Sequence, residues 1–267
     1  MRWILLTFGF CLFGQVSHGF DPATQDDSQA LVRHFAPPVS PLLPLKEGKF
    51  TPKQGETISL MGGTDMYRRQ VSGDFEASLQ LAFPERNLRV RNIAWPADTV
   101  CRQQRPMYFY TKKGDTKEGS IPDQRKRIEP GIFVLQFGKM ESLDGRDSLS
   151  GFVSAYKDLL SELSKLSPRI VVVAPEPFSK EGPAGDLAEE RNEVLDEYSN
   201  AIEKLAGERG IPFWKSMAEV GADTPEPTEE LVEKIRFKNK LWSQYYRPTN
   251  WAFLFGDRQH VPSSRDH

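Results

Sequence analysis

The sequence is poor in the residues that cross-link a small fold or bind metal. Its 267 residues include only two cysteines and four histidines. None of His34, His260 and His267 stands at a metal-ligand spacing from another histidine or from a cysteine. The sequence therefore predicts no metal site, and we expect no cofactor.

A strong charge of either sign is also missing. The formal net charge is -2, so neither nucleic acid nor an anionic membrane is expected as the main partner. Hydrophobic residues make up 38% of the chain and charged residues 27%, which is the usual balance of a soluble globular protein. A chain of this length is able to bury the core of one large domain.

No apolar run is long enough to cross a bilayer comfortably. The longest begins after Arg2 and covers Trp3–Gly14, and Ser17–Gly19 follows at cleavage-type positions. This pattern is typical of a secretory signal peptide over residues 1–19, and a retained membrane anchor is the alternative. Phe8–Phe10 before Cys11 does not form a lipobox, so a lipoprotein is not expected.

Removal of the signal peptide would leave Cys101 as the one cysteine of the mature chain, so no internal disulfide is expected. We expect a secreted or periplasmic protein that does not span the membrane. Residues 20–54, which include Pro37, Pro38 and Pro41, are interpreted as a proline-rich linker, and residues 55–267 as the folded domain.

From Thr57 onward, short apolar runs alternate with longer stretches of helical periodicity. This alternation predicts an α/β fold: a flavodoxin-like three-layer α/β/α sandwich with a parallel sheet of about five strands. Residues 100–130 are polar and partly basic, as in an insertion or a long loop. The expected strands are Thr57–Met61, Leu88–Ala94, Ile132–Gln136, Ile170–Ala174 and Ile211–Trp214, and the expected helices are Met66–Phe83, Leu149–Leu163, Leu187–Leu205 and Thr228–Trp242, the last with Thr228 as its N-cap.

Ligands of such folds bind beyond the carboxyl ends of the strands. The loops at Gly62–Asp65, Ala94–Asp98 and Gly138–Glu141, and the segment after Trp214, are therefore the places where we expect a functional site.

Several segments, taken in order, resemble the conserved blocks of the SGNH (GDSL-type) hydrolases, in an exported bacterial branch of that family. The resemblance covers Gly55 to the end of the chain. It is carried by Gly55–Thr64, Arg91–Thr99, Phe137–Ser142, Asn192 with Leu195 and Tyr198, Asn239, Arg247–Asn250 and Trp251–Arg258.

The resemblance implies ester hydrolysis, with a serine nucleophile, an Asp–His pair and an oxyanion hole. This chain has Thr64 in place of the nucleophilic serine, and its extra methyl crowds the turn. Ala97 replaces the oxyanion-hole glycine and keeps its N–H, whereas Met140 replaces the asparagine and removes a donor.

The Asp-x-x-His segment that the family places after the last strand is missing. Trp214–Pro227 contains Asp223 but no histidine. Asp257 and His260 stand three residues apart, which is the spacing of an orienting acid and a general base. The alternative, which we favour, is that this spacing is accidental and that the segment is a structural tail.

Four other residues near these blocks have a structural explanation that competes with a functional one. Trp95 and Trp251 are more readily explained by packing than by stacking on sugar rings. Glu141 either supports its loop through hydrogen bonds or is a solvated side chain. Asp65 is expected to cap the helix that follows it.

Two classes of function remain open from the sequence. In the first, the protein is an exported hydrolase of small esters or carbohydrate esters that works weakly through Thr64 and His260. In the second, it is a non-catalytic relative whose cleft binds a glycan, a peptide or a partner protein. A position of His260 within hydrogen-bond reach of Thr64 would favour the hydrolase.

Overall fold

The fold is a parallel sheet covered by helices on both faces. A computed structural model of the chain describes residues 43–45, 49–101, 130–221 and 223–245. The strands are β1 (Thr57–Gly62), β2 (Arg89–Asn92), β3 (Ile132–Gln136), β4 (Ile170–Val173) and β5 (Phe213–Trp214). All pair in parallel in the order β2-β1-β3-β4-β5. The predicted five-stranded α/β fold is confirmed.

The two edge strands are shorter than predicted. β2 ends at Asn92, whose Nδ2 donates to Met66 O at 2.8 Å and whose Oδ1 accepts from Ala94 N at 2.9 Å. Backbone bonds to β1 continue beyond it, from Ile93 N to Leu60 O at 2.9 Å. At the other edge, β5 has only Phe213 and Trp214. The side chain of Asn92 thus holds the chain where it leaves the strand.

The helix predicted over Met66–Phe83 was wrong, because the structure contains two helices there. α1 covers Thr64–Ser72 and α2 covers Asp74–Ala82. Gly73 separates them with a φ of +78°, a left-handed conformation that glycine adopts at little cost. A Cβ atom at Gly73 would also lie 3.2 Å from the carbonyl oxygen of Val232, so a side chain has little room there.

The remaining helices lie near their predicted positions. α3 covers Leu149–Ser164, α4 covers Ala188–Glu208 and α5 covers Glu229–Tyr245. Thr228 Oγ1 accepts a hydrogen bond from Leu231 N at 3.3 Å, which confirms the predicted N-cap of α5.

Each face of the sheet has its own apolar core. On one face, the strands pack against α3 and α4 around the fully buried Tyr156 and Tyr198. On the other, they pack against α1 and α2 through Met66, Phe75 and Leu79. Successive side chains of β3 point to opposite faces of the sheet, so Phe133 and Leu135 pack in the first core and Ile132 and Val134 in the second.

At the amino end of the sheet, a buried ion pair holds the chain that enters β1. Arg169 Nε lies 2.7 Å from Glu56 Oε1, and both side chains are about 5% exposed or less. The guanidinium also donates to the carbonyl oxygens of Leu43 at 3.3 Å and Thr51 at 2.7 Å. Phe50 packs edge-on against Trp214. Residues 43–45 and 49–54, within the predicted linker, therefore contact the domain.

The predicted signal peptide, residues 20–42 of the predicted linker and residues 102–129 of the predicted insertion lie outside the described residues, as does the tail from residue 246 onward. Within the described part of the chain, no helix combines the length and the apolar character needed to span a bilayer.

Candidate functional site

The loops that follow β1, β2, β3 and β4 meet at the carboxyl end of the sheet and enclose a cleft. The cleft has about 320 Å³ of empty volume, part of it open to solvent. It lies at the edge where parallel α/β sheets bind ligands. Its lining residues are Gly63, Thr64, Asp65, Asp98, Gln136, Phe137, Gly138, Lys139, Met140, Glu141 and Pro175.

Thr64, which lines the cleft, is joined directly to Ala97. Thr64 is the first residue of α1, and its Oγ1 accepts a hydrogen bond from Ala97 N at 2.9 Å. Ala97 reaches this position with a φ of +57°, in the left-handed region. A side chain is strained there, which gives a physical reason for the glycine that the resemblance implies at this position. The predicted nucleophile and the predicted oxyanion donor are therefore neighbours.

Gly62 lets the ends of β1 and β3 approach closely. It is paired in register with Gln136, and a Cβ atom built on it would collide with the carbonyl oxygen of Gln136 and the Cβ of Met66. The close approach brings the loop after β1 against the loop after β3. Thr64 and Met140 consequently line the same cleft.

Met140 offers the cleft no hydrogen-bond donor. It immediately precedes a 3₁₀ turn over Glu141–Asp144. The block resemblance implies an asparagine at this position, whose side-chain amide would be a donor. A thioether is only a weak acceptor and never a donor. The described cleft therefore lacks this side-chain donor.

Glu141 supports the walls of the cleft rather than facing solvent. Its side chain is buried, with Oε1 accepting from Val100 N at 2.8 Å and Oε2 accepting from Gly138 N at 2.9 Å. One carboxylate thus joins the loop after β2 to the loop after β3. Burial raises the pKa of Glu141, and the nearby charge of Asp98 raises it further, while the backbone hydrogen bonds oppose the shift.

Asp65 does not cap the helix as predicted, because the helix begins one residue earlier, at Thr64, with Gly63 at the N-cap position. Its carboxylate instead bonds Lys139 Nζ at 2.9 Å. Lys139 also donates to the carbonyl oxygen of Pro177 at 3.2 Å and lies 5.1 Å from the centre of the Phe178 ring. We call the contacts of Lys139 with Asp65 and Pro177 the Lys139 bridge.

The Lys139 bridge connects three elements at the carboxyl end of the sheet: α1, the loop after β3 and the loop after β4. A second ion pair, between Arg69 of α1 and Glu176, lies beside it. In the strand order, Ala97 follows β2 on one side of β1, whereas Pro177 follows β4 on the other. The bridge therefore lies on the side of Thr64 opposite to Ala97.

Gln136 and Lys139 belong to the cleft but were not predicted as site residues from the sequence. Gln136 ends β3 after four apolar residues, and a polar residue at the carboxyl end of a buried strand was the available signal. Lys139 occupies a variable position of the third block, so nothing in the motif marked it. Both belong to the cleft because of their place in the sheet.

The predicted general base is not among the residues that the structure describes. Asp257 and His260 lie outside them, as does Trp251, and the described ranges contain no histidine. Asp223 is exposed in the segment before α5 and is not a lining residue of the cleft. Trp95 is half-buried, and its backbone N–H donates to Gly62 O at 3.1 Å.

No protein-family model matches the chain, and no curated protein matches it. Solved structures resemble it at low identity. Axe2, an acetylxylan esterase from Geobacillus stearothermophilus, is 16% identical with a TM-score of 0.42, over 71% of this chain and 94% of that one. An alpha/beta hydrolase enzyme from the metagenome of Lake Arreo, Spain, is 13% identical with a TM-score of 0.43, over 71% and 94%.

A gut microbial diltiazem-metabolizing enzyme is 16% identical, with a TM-score of 0.46. That match covers 62% of this chain and 38% of the enzyme. Identities and TM-scores this low assign neither a family nor an activity. The residues of the cleft itself must therefore support any proposed function.

Proposed function

We propose that this chain is an exported relative of the SGNH ester hydrolases, whose cleft binds a small ester or a carbohydrate ester and hydrolyses it far more slowly than an enzyme does. The observation that supports this most directly is the 2.9 Å hydrogen bond from Ala97 N to Thr64 Oγ1. It joins the residues at two of the three block positions named from the sequence, and Met140, at the third, lines the same cleft.

The proposed reaction begins with attack of Thr64 Oγ1 on the acyl carbon of the ester. The hydroxyl proton passes to a base, the carbonyl oxygen becomes an oxyanion, and the alcohol leaves with a proton to give an acyl-threonine. Water then releases the acid and restores Thr64. Backbone N–H groups at Thr64 and Ala97 would stabilise the oxyanion.

Two features of the cleft support slow turnover. Met140 offers no donor, and loss of one oxyanion-hole donor costs about 100- to 1000-fold in turnover. The described cleft also contains no histidine to accept the proton of Thr64. The Lys139 ammonium is held by Asp65 and serves as a hydrogen-bond donor rather than as a base.

The second candidate function is ligand binding without turnover. Met140 favours it, because a methionine can line a binding cleft but cannot supply the missing oxyanion donor. Under this proposal the same cleft holds a glycan, a peptide or a side chain of a partner protein.

The deciding experiment compares hydrolysis of short acyl esters by the wild type, Thr64→Ala, the double variant Thr64→Ser with Met140→Asn, and the same double variant with His260→Ala. We expect very low wild-type turnover, a gain in the double variant, and loss of that gain without His260. Wild-type turnover of about 1 to 1000 per second that disappears in Thr64→Ala would contradict slow catalysis.

Absence of activity in every variant would favour ligand binding without turnover. The export half of the proposal is independent of these assays. It predicts a mature chain that begins near Phe20, which mass determination of the secreted protein would reveal. A full-length chain that still begins at Met1 and stays in the membrane would contradict it.

A further inference from the structure

Gln136 contributes a buried hydrogen-bond acceptor to the lining of the cleft, and within the described part of the chain this acceptor has no donor. The residue is 4% exposed and ends β3. Its Nε2 donates to the carbonyl oxygen of Ala174 at 3.0 Å, which orients the amide. Its Oε1 is buried, and none of the residues that the structure describes donates a hydrogen bond to it.

Packing alone does not explain this side chain. The four preceding residues of β3, Ile132–Leu135, are all apolar and buried, and a methionine of similar volume could fill the position of Gln136. A buried acceptor without a donor is destabilising, and such groups are uncommon in folded proteins. The position of Gln136 among the lining residues of the cleft indicates that a ligand supplies the donor.

We propose that Gln136 is a specificity-determining residue of the cleft, whose Oε1 accepts a hydrogen bond from the ligand. The cleft therefore selects esters that carry a hydroxyl or an amide N–H next to the ester group, over analogues in which that donor is methylated. This inference rests on the proposed function, because it names a property of the ester that the cleft binds.

The charges of the cleft favour a neutral ligand. Asp65 neutralises the ammonium of Lys139, and Asp98 and Glu141 add two further carboxyl groups to the lining. A carboxylate or phosphate ligand would be repelled by these groups. Hydroxyl and amide donors carry no charge and match the uncharged acceptor of Gln136.

A partly exposed side chain lines the same cleft as Gln136. Lys139 is 24% exposed and bonds Asp65 and the carbonyl oxygen of Pro177. Because Gln136 Oε1 is buried, the proposal requires that neighbouring side chains of the cleft rearrange when the ligand binds.

The test uses two acetyl esters of glycerol as probes: monoacetin, which has free hydroxyls, and its di-O-methyl ether, which has none. Binding of both to the full chain is measured by NMR titration, with the amide signals of Thr64 and Ala97 as reporters of the cleft. We expect monoacetin to bind wild type about tenfold tighter or more, which corresponds to one hydrogen bond to a buried acceptor.

Two substitutions locate the effect. Gln136→Met should reduce the preference for monoacetin to about twofold or less, because it removes the acceptor and keeps the volume. Gln80→Met is the matched control, since Gln80 Nε2 also donates to a backbone carbonyl, that of Leu88 at 3.0 Å, but the residue is not part of the cleft. The control should keep the wild-type preference.

Equal affinity of the wild type for the two probes, with shifts at Thr64 and Ala97, would overturn the role of Gln136 and leave the ester-binding cleft in place. A preference that survives in Gln136→Met would overturn it as well. Absence of any shift with either probe would overturn both this inference and the proposed function. If Gln136→Met does not fold, the affinities of wild type for monoacetin and for its di-O-methyl ether still test the proposal, because equal affinities would overturn it.

Discussion

The two ends of the sheet differ in how their polar groups are used. At the amino end, Arg169 meets a carboxylate and two backbone carbonyl oxygens, all supplied by the segment that leads into β1. At the carboxyl end, Gln136 Oε1 has no hydrogen-bond donor among the described residues, and Lys139 is partly exposed. The amino end is closed by the protein itself, whereas the carboxyl end is open.

This difference separates polar residues that stabilise the fold from polar residues that are available to a ligand. A buried charge that is paired with an opposite charge, as Arg169 is with Glu56, is costly to disturb because its loss leaves the partner charge unpaired. A buried acceptor without a partner costs stability and is kept where a ligand supplies the donor. Arg169 lies just before a strand, and Gln136 lies at the end of one. A polar residue beside a strand in the sequence can therefore belong to either kind.

The largest expected effect is at the amino end. Arg169→Met leaves Glu56 buried without its cation, and the unfolding free energy should fall by about 3 to 5 kcal/mol. Urea denaturation measures the change. Arg146→Met is the matched control, because Arg146 pairs with Glu197 on an exposed surface and its loss should change stability little.

If Arg169→Met and Arg146→Met lowered the unfolding free energy equally, the buried Arg169–Glu56 pair would not be what closes the amino end of the sheet. The double variant Arg169→Met with Glu56→Met sharpens this comparison. Removal of both charges should recover a large part of the loss, since no unpaired charge remains in the core.

A smaller effect is expected where Glu141 joins two walls of the cleft. Glu141→Gln keeps one acceptor but turns an NH₂ group toward a backbone N–H, so it should lower the unfolding free energy by about 1 to 3 kcal/mol. Exposed Glu203→Gln is the control and should change little.

The effect of Glu141→Gln should depend on pH. Because the pKa of Glu141 is raised in the folded protein, ionisation costs stability as the pH rises from the ordinary glutamate range through the raised pKa. The advantage of wild type over Glu141→Gln is therefore largest at acidic pH and declines as the pH rises. Urea midpoints from about pH 4 to about pH 8 would measure this trend. An advantage that grows with pH would contradict it.

The fold could be predicted from the sequence because its signals are local and repeated. The apolar run of β4 and the helical periodicity of α3 predicted both elements within a residue or two. The break at Gly73 was missed, because a glycine inside an apolar periodic stretch is compatible with one helix and with two. The left-handed φ of Gly73, which lies close to Val232 of α5, shows that the chain forms two helices.

The candidate site was predictable only in part. The block resemblance named Thr64, Ala97 and Met140. The structure brings Thr64 and Met140 to one cleft and joins Ala97 to Thr64 by a hydrogen bond. Lys139 and Gln136 were missed because their importance depends on contacts made across the sheet, with Asp65 and Ala174. The single-residue pattern of a sequence does not record which partner a side chain finds in three dimensions.

The smallest expected effect tests backbone strain at the open end. Ala97 has a φ of +57°, a conformation that costs an alanine about 1 to 2 kcal/mol and a glycine almost nothing. Glycine also loses more entropy on folding, by about 0.4 to 1 kcal/mol. The difference between these two effects lies between about 0 and 1.6 kcal/mol, so Ala97→Gly should raise the unfolding free energy, by about 0.8 kcal/mol at the middle of that range.

The matched control is Ala201→Gly, which lies inside α4 and should lower stability by about 1 kcal/mol, the usual cost of a helical glycine. Urea denaturation of both variants shows whether the unfolding free energy rises in Ala97→Gly and falls in Ala201→Gly. The N–H of residue 97 still faces Thr64 Oγ1 after the change, so binding of acetyl esters should stay the same. If Ala97→Gly instead destabilises the protein as much as Ala201→Gly does, the left-handed conformation at residue 97 stores no strain, and the glycine implied by the family resemblance needs another explanation.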